Sequence, residues 1–188
     1  MHVSLIDRIL SLDPAREIRT AKNLSYRESF LGDHFASFPL MPGALQVEAM
    51  VQSAQWMLRV AYDFPEADFH PVAFSNTRYA RYVRPGEQIQ FTVTLQTSKL
   101  GTSAPEQGDA GRWKFKGTGE VEGQRACQSQ FELVRYETSW QSVSRETRSE
   151  ILRAQRETLA RLQYVPVPFA LHTAPALETP ALAAGRSA

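Results

Sequence analysis

The sequence predicts an α+β fold in which an antiparallel sheet wraps around one long central helix. Three observations predict it. From Ala44 to about Phe64, the residues Leu45, Val47, Met50, Val51, Ala54, Met57, Leu58 and Ala61 recur at helical spacing. They give an apolar surface too wide for a helix lying on a flat layer. Beyond it, Ile89, Phe91, Val93 and Leu95 alternate with Gln88, Gln90, Thr92 and Thr94, the period of a half-buried strand. Finally, the strands after the helix follow one another directly, which favours antiparallel pairing over helix-linked crossovers.

Taken in order, Leu5 to Leu12 reads as a short mixed segment of one or two helical turns, closed by a turn at Asp13-Pro14. Glu17 to Leu24 reads as a strand, with Ile18 and Leu24 on one face. Tyr26 to Leu40 is irregular and carries Tyr26, Phe30, Phe35 and Phe38; it ends in Met41-Pro42-Gly43. Pro42 suits a helix start, and Pro65 helps to stop the helix. Pro71 to Phe74 begins a strand that runs on through Arg84, before a turn at Pro85-Gly86. Lys99 to Gly111 is a hairpin loop. Trp113, Phe115 and Val121 mark the next strand. A turn at Glu122-Gly123 leads into Arg125 to Val134, where Cys127, Phe131 and Leu133 face one way. One such protomer leaves a sheet edge open, and a second copy would close it. The chain divides into a main domain over 1–140, a charged helical appendage over 141–164 and a Pro/Ala-rich tail over 165–188.

Composition narrows the function. The chain has 188 residues, 43% hydrophobic and 22% charged, with a formal net charge of +1. That balance gives no electrostatic reason to expect nucleic acid or an anionic membrane as partner. The single cysteine, Cys127, cannot form an internal disulfide or a cysteine metal cluster, and reads as a small buried apolar residue. No apolar run reaches the length of a membrane span, and charge breaks the first residues before any signal-peptide core. The sequence reads as cytoplasmic, with no membrane span.

The chemistry lies between Gly32 and Gln52. His34, in an apolar loop, is the residue type most easily poised as a base near neutral pH. Gly43 opens the helix, where free N–H groups favour developing negative charge. Glu48 interrupts the apolar run, and Gln52 lies four residues further on, within hydrogen-bonding reach. Each alone has a plainer alternative: a solvated histidine, a conformational glycine, a surface glutamate, a surface glutamine. Their combination is far less expected by chance.

This stretch resembles the active-site segment of the β-hydroxyacyl-acyl-carrier-protein dehydratases of type II fatty acid synthesis. His34, Phe35, Pro39, Met41, Pro42, Gly43, Leu45, Glu48, Ala49 and Gln52 fall in register with that family's pattern without a gap. The likeness extends from about Leu5 to Glu137, and includes Arg84-Pro85-Gly86-Glu87-Gln88 and Trp113-Lys114-Phe115-Lys116-Gly117. It implies a hot-dog fold, assembled as a homodimer or a trimer of dimers. It implies an active site built across the dimer, with the histidine from one subunit and the acid from the other. His34 and Glu48 are then the catalytic pair. Gly43, Gln52, Phe35, Pro39 and Met41 hold the substrate and its thioester oxygen. Phe30, Phe35, Phe38 and Phe74 line an acyl tunnel. The partners implied are acyl carrier protein and an acyl thioester, with no metal and no cofactor. A glutamate acid favours the simple dehydratase over the enzyme that also moves the double bond.

Two departures stand out. Asp33 replaces the family's glycine before the histidine, and Ala36-Ser37 replace Pro-Gly. They keep open a non-catalytic hot-dog protein that binds acyl thioesters, alongside a hot-dog thioesterase or hydratase on coenzyme A esters. Arg78, Arg81 and Arg84 are candidates to dock the acidic carrier protein, or are separate solvated arginines.

Overall fold

Period-two patterning and one apolar helix resolve into a sheet curled around that helix. The computed structural model describes residues 4–32, 37–96, 111–136 and 138–163. Its elements are β1 (Arg8–Asp13), β2 (Glu17–Asn23), α1 (Gly43–Ala61), β3 (Asp68–Tyr79), β4 (Gln88–Leu95), β5 (Arg112–Val121), β6 (Gln124–Tyr136), α2 (Thr138–Gln141) and α3 (Arg145–Gln163), with a 3-10 turn at Ser29–Leu31. The strands form one antiparallel six-stranded sheet in the order β1-β2-β4-β5-β6-β3.

Inward positions alternate along each central strand. Ile89, Phe91 and Val93 of β4, and Trp113 and Phe115 of β5, are buried while their neighbours face outward. Phe115 pairs directly with Phe131 of β6, and their rings stack with centroids 5.5 Å apart. Each such fully buried side chain contributes roughly 1.5–3 kcal/mol of burial free energy. The turn between β5 and β6 places Glu122 and Gly123 at φ 51° and 75°, the left-handed pair that matches the twist of a tight hairpin.

Helix α1 lies in the hollow of the sheet. Met50, Ala54, Met57 and Leu58 are essentially inaccessible. Close approach requires a glycine beneath the helix: a Cβ on Gly117 would stand 2.5 Å from Met50 Sδ. Polar ties fix the helix lengthwise. Ser53 Oγ shares a buried 2.9 Å hydrogen bond with Thr20 Oγ1 of β2, and Gln55 Nε2 donates to the Phe69 carbonyl of β3 at 2.8 Å. Beyond the end of the helix the chain turns through Asp63 and Phe64, both at positive φ.

Two expectations need correction. Residues 8–13 of the mixed first segment are strand β1 rather than helical turns, because Arg8–Asp13 finds β2 as a partner and Ile9 reaches the core. Strand β3 stops at Tyr79 instead of running through Arg84; from there the backbone turns, and Met41 N donates to Val83 O at 2.9 Å. The charged helix expected within 141–164 forms as α3, after the short α2. Leu162 of α3 enters the main core, Leu159 packs beside it, and Arg156 reaches Asp63 and the Phe64 ring. The loop over 99–110 and the tail over 165–188 lie outside the described residues.

Candidate active site

The segment before α1 is held from two sides. Met41 is fully buried and bonded to Val83 as described, and its carbonyl accepts from Gln46 Nε2 at 3.3 Å. Helix α1 therefore starts at a set place, with Pro42 as its cap residue. The Gly43 N–H belongs to the first turn, where no helical carbonyl can accept it. Gly43 is glycine for a steric reason as well: a Cβ would stand 2.7 Å and 2.8 Å from Cε1 and Cζ of Tyr79.

A cavity of about 790 Å³ opens at this helix start. Leu40, Met41, Gly43, Gln46, Tyr79 and Arg81 are among its lining residues, with Arg84 and Glu87 on its wall. Arg81 and Glu87 are locked together: Arg81 Nη2 donates to Glu87 Oε1 at 2.5 Å, and Glu87 Oε2 accepts the Arg84 N–H at 2.6 Å. Partial burial, and then nearby Cys127, hold the Tyr79 phenol above its usual value, so it stays an O–H donor across the neutral range.

Glu48 sits one turn further along α1 and does not line this cavity. It is half-buried on the side of the helix covered by the N-terminal segment. Gln52 Nε2 donates to Glu48 Oε1 at 3.1 Å, while Gln52 Oε1 accepts the Leu5 N–H at 2.9 Å. Gln52 is thus occupied by protein on both ends of its amide. The bond to Glu48 is the one its i, i+4 spacing offered, and Gln52 thereby links Glu48 to the N-terminal segment.

The other sequence-derived candidates divide. His34 and Phe35 lie outside the described residues, as do Asp33 and Ala36. Pro39 is half-buried beside the cavity-lining Leu40. Phe38 is at the rim, edge-on to Tyr82 and under the Arg84 guanidinium, which lies 5.2 Å from its ring centre. Phe30 packs against the core, and Phe74 lies at the open sheet edge, 6.3 Å from Phe131. Of the three arginines, Arg78 is exposed on β3, Arg81 is committed to Glu87, and Arg84 stands exposed at the cavity. Cys127 is buried and its thiol is pushed up to about 12 by that burial, which makes it a poor nucleophile. Sequence reasoning passed over Tyr79, Gln46 and Glu87. Glu87 had a local signal in its spacing from Arg81; Tyr79 had none, since its meeting with Gly43 joins positions far apart in the chain.

The model of the FabA-like domain family matches residues 1–130. A 3-hydroxyacyl-[acyl-carrier-protein] dehydratase FabZ from Burkholderia thailandensis is 33% identical over 136 residues, which covers 68% of this chain and 76% of the relative. One from Cupriavidus metallidurans is 32% identical over 131 residues, covering 68% and 80%. Among solved structures, the dehydratase heterocomplex ApeI:P from Xenorhabdus doucetiae aligns with a TM-score of 0.55 at 11% identity, covering 72% of this chain and 85% of that one. A sigma28-regulated virulence protein from Campylobacter jejuni aligns at 0.51 and 11%, covering 71% and 86%. These structural likenesses speak for the fold alone. The helix-wrapping sheet is the hot-dog fold, and the chain belongs to the FabA-like family of β-hydroxyacyl-acyl-carrier-protein dehydratases.

Proposed function

We propose that the protein dehydrates a 3-hydroxyacyl thioester carried on acyl carrier protein to the trans-2-enoyl thioester. The observation that carries this reading is the arrangement on α1. Gly43, in the first turn where no helical carbonyl can accept its N–H, lines a cavity, and a glutamate one turn on is hydrogen-bonded by Gln52.

His34 removes the C2 proton. The electrons left on C2 spread onto the thioester oxygen, where the Gly43 N–H and the helix dipole meet the growing charge. The C2–C3 double bond then forms as the C3–O bond breaks. Glu48 supplies the proton that turns the departing hydroxyl into water. Proton exchange with solvent returns His34 and Glu48 to their starting states. Groups in such acid–base roles contribute ~10²–10⁴-fold each.

Glu48 lies away from the cavity that Gly43 of the same chain lines. That separation favours a site completed by a second copy. Edge strand β3 offers the seam: among the described residues its outer side has no strand neighbour, and Val72 and Phe74 along it are exposed. Arg84, at the cavity wall, is suited to meet the acidic carrier protein; Arg78 is the second candidate.

The reaction is reversible, so hydration of trans-2-enoyl-acyl carrier protein tests it by loss of the conjugated thioester absorbance. Wild type is expected to turn over, with His34→Ala and Glu48→Gln each slower by at least ~10²-fold. Binding without turnover would instead leave a non-catalytic acyl-thioester protein. Release of free thiol would make the protein a thioesterase.

A further inference from the structure

Near the cavity the register of β3 against β6 slips. Ser75 pairs with Gln130 and Arg78 with Gln128, so three steps on β3 match two on β6. The extra residue is absorbed around Asn76, which adopts a left-handed φ of 52°. Asn76 Nδ2 donates to Gln130 Oε1 at 2.8 Å, and the Thr77 and Ser129 hydroxyls share a 2.8 Å hydrogen bond. Bulges of this kind re-aim side chains and gather beside functional sites.

Here the bulge changes parity. An unbroken ladder would set Arg78 opposite Cys127, whose side chain is fully buried; the bulge sets Tyr79 there instead. Directly opposed residues share a face of the sheet. Tyr79 is thereby turned inward to α1. Its ring stands against Gly43, with the hydroxyl-bearing Cζ 2.8 Å from where a Gly43 Cβ would lie; both residues line the cavity, and Tyr79 stays half exposed. Among the described residues that hydroxyl has no hydrogen-bond partner.

Gln46 gives an independent sign that the cavity takes a polar ligand. It lines the same space and is 3% exposed. Its Nε2 is used on the Met41 carbonyl, which requires an N–H there, so the remaining buried atom is an acceptor. Among the described residues that Oε1 has no partner. Idle buried acceptors are costly and uncommon in native folds.

We infer that Tyr79 is a substrate-contacting donor, its hydroxyl hydrogen-bonding the acyl-thioester carbonyl oxygen beside the Gly43 N–H. This rests on the acyl-thioester reading of the site. Two donors converging on one oxygen hold the carbonyl in line with the C2 proton and stabilise the charge that its removal creates. Gln46 Oε1 remains to accept an N–H or O–H from the same ligand.

The test is calorimetric binding of two probes to the full chain and to Tyr79→Phe. The probes are S-hexanoyl-pantetheine and the thioether S-hexyl-pantetheine, which lacks the carbonyl. Phenylalanine keeps the ring on Gly43, and an unchanged melting temperature verifies the fold. Tyr79→Phe is expected to lose about three- to tenfold in affinity for the thioester, the range of one neutral hydrogen bond, and nothing for the thioether. Equal losses for both probes, or no loss for either, overturn the inference while leaving the acyl-thioester reading in place. Failure of the wild type to bind either probe overturns that reading itself.

Discussion

Gln52 shows how one side chain can serve two masters. Its carbonyl oxygen satisfies the Leu5 N–H and its amide nitrogen orients Glu48. Gln52→Leu fills similar space but leaves the Leu5 donor unpaired, so urea unfolding should register a loss of about 1–3 kcal/mol. The same variant should lower kcat more than it raises KM, because Glu48 is no longer aimed. Lys22 makes a second residue-scale case. It is buried on β2 between Asp7, at 3.0 Å, and Glu28, at 2.8 Å. Burial by itself lowers the lysine value, but hydrogen bonds to Glu28 and Asp7 outweigh it and leave Lys22 raised above 10.5. A group raised on folding contributes fully below its unfolded value, and that contribution fades as pH climbs through its folded one. The melting-temperature gap between wild type and Lys22→Met should therefore hold steady from neutral pH to about 10 and shrink beyond it. A gap that widened there would contradict the assignment.

At the scale of elements, α3 lies wholly beyond the family-matched residues 1–130, after the end of β6 and the short α2. It clamps the far end of α1 and the start of the sheet. Its contacts differ in worth. Leu162 enters the core, and Leu162→Ala should cost about 2 kcal/mol in thermal unfolding, the low end for a core leucine because the site is at the rim. Arg156 pairs with Asp63 at 3.1 Å and covers the Phe64 ring at 4.5 Å, yet both charged partners are exposed. Arg156→Ala should cost under about 1 kcal/mol, and less in high salt. If the two variants proved equal, the helix would be held by charge rather than by burial.

For the molecule as a whole, the open edge at β3 is the decisive feature. Phe74 pairs with buried Phe131, so it belongs to the inner face of the sheet, but it is half exposed because no strand of the described residues lies beyond it. A second copy laid along this edge would cover it. Phe74→Lys should shift sedimentation from an assembled species towards the monomer and abolish enoyl hydration together. Monomers that still turned over would show that each chain holds a complete site.

Much of this was legible in the order of residues, and the limits have a physical cause. Helix α1, strands β4 to β6 and the turns at Pro85-Gly86 and Glu122-Gly123 were readable because their patterns are local: burial repeats every 3.6 or 2 residues along the chain itself. The spacing of His34, Gly43, Glu48 and Gln52 was readable for the same reason, and so was the bond from Gln52 to Glu48 across one helical turn. Tertiary structure alone decided the rest. β1 is a strand because β2 lies beside it, whatever its own mixed pattern favoured. Arg81 is a wall of the cavity because Glu87 neutralises it, and Gln52 is tied to the N-terminal segment because the Leu5 N–H donates to its Oε1. Most of all, one extra residue near Asn76 turned Tyr79 inward and Arg78 out. Side-chain parity depends on register with a partner strand some fifty positions away, and no run of neighbouring residues carries that information.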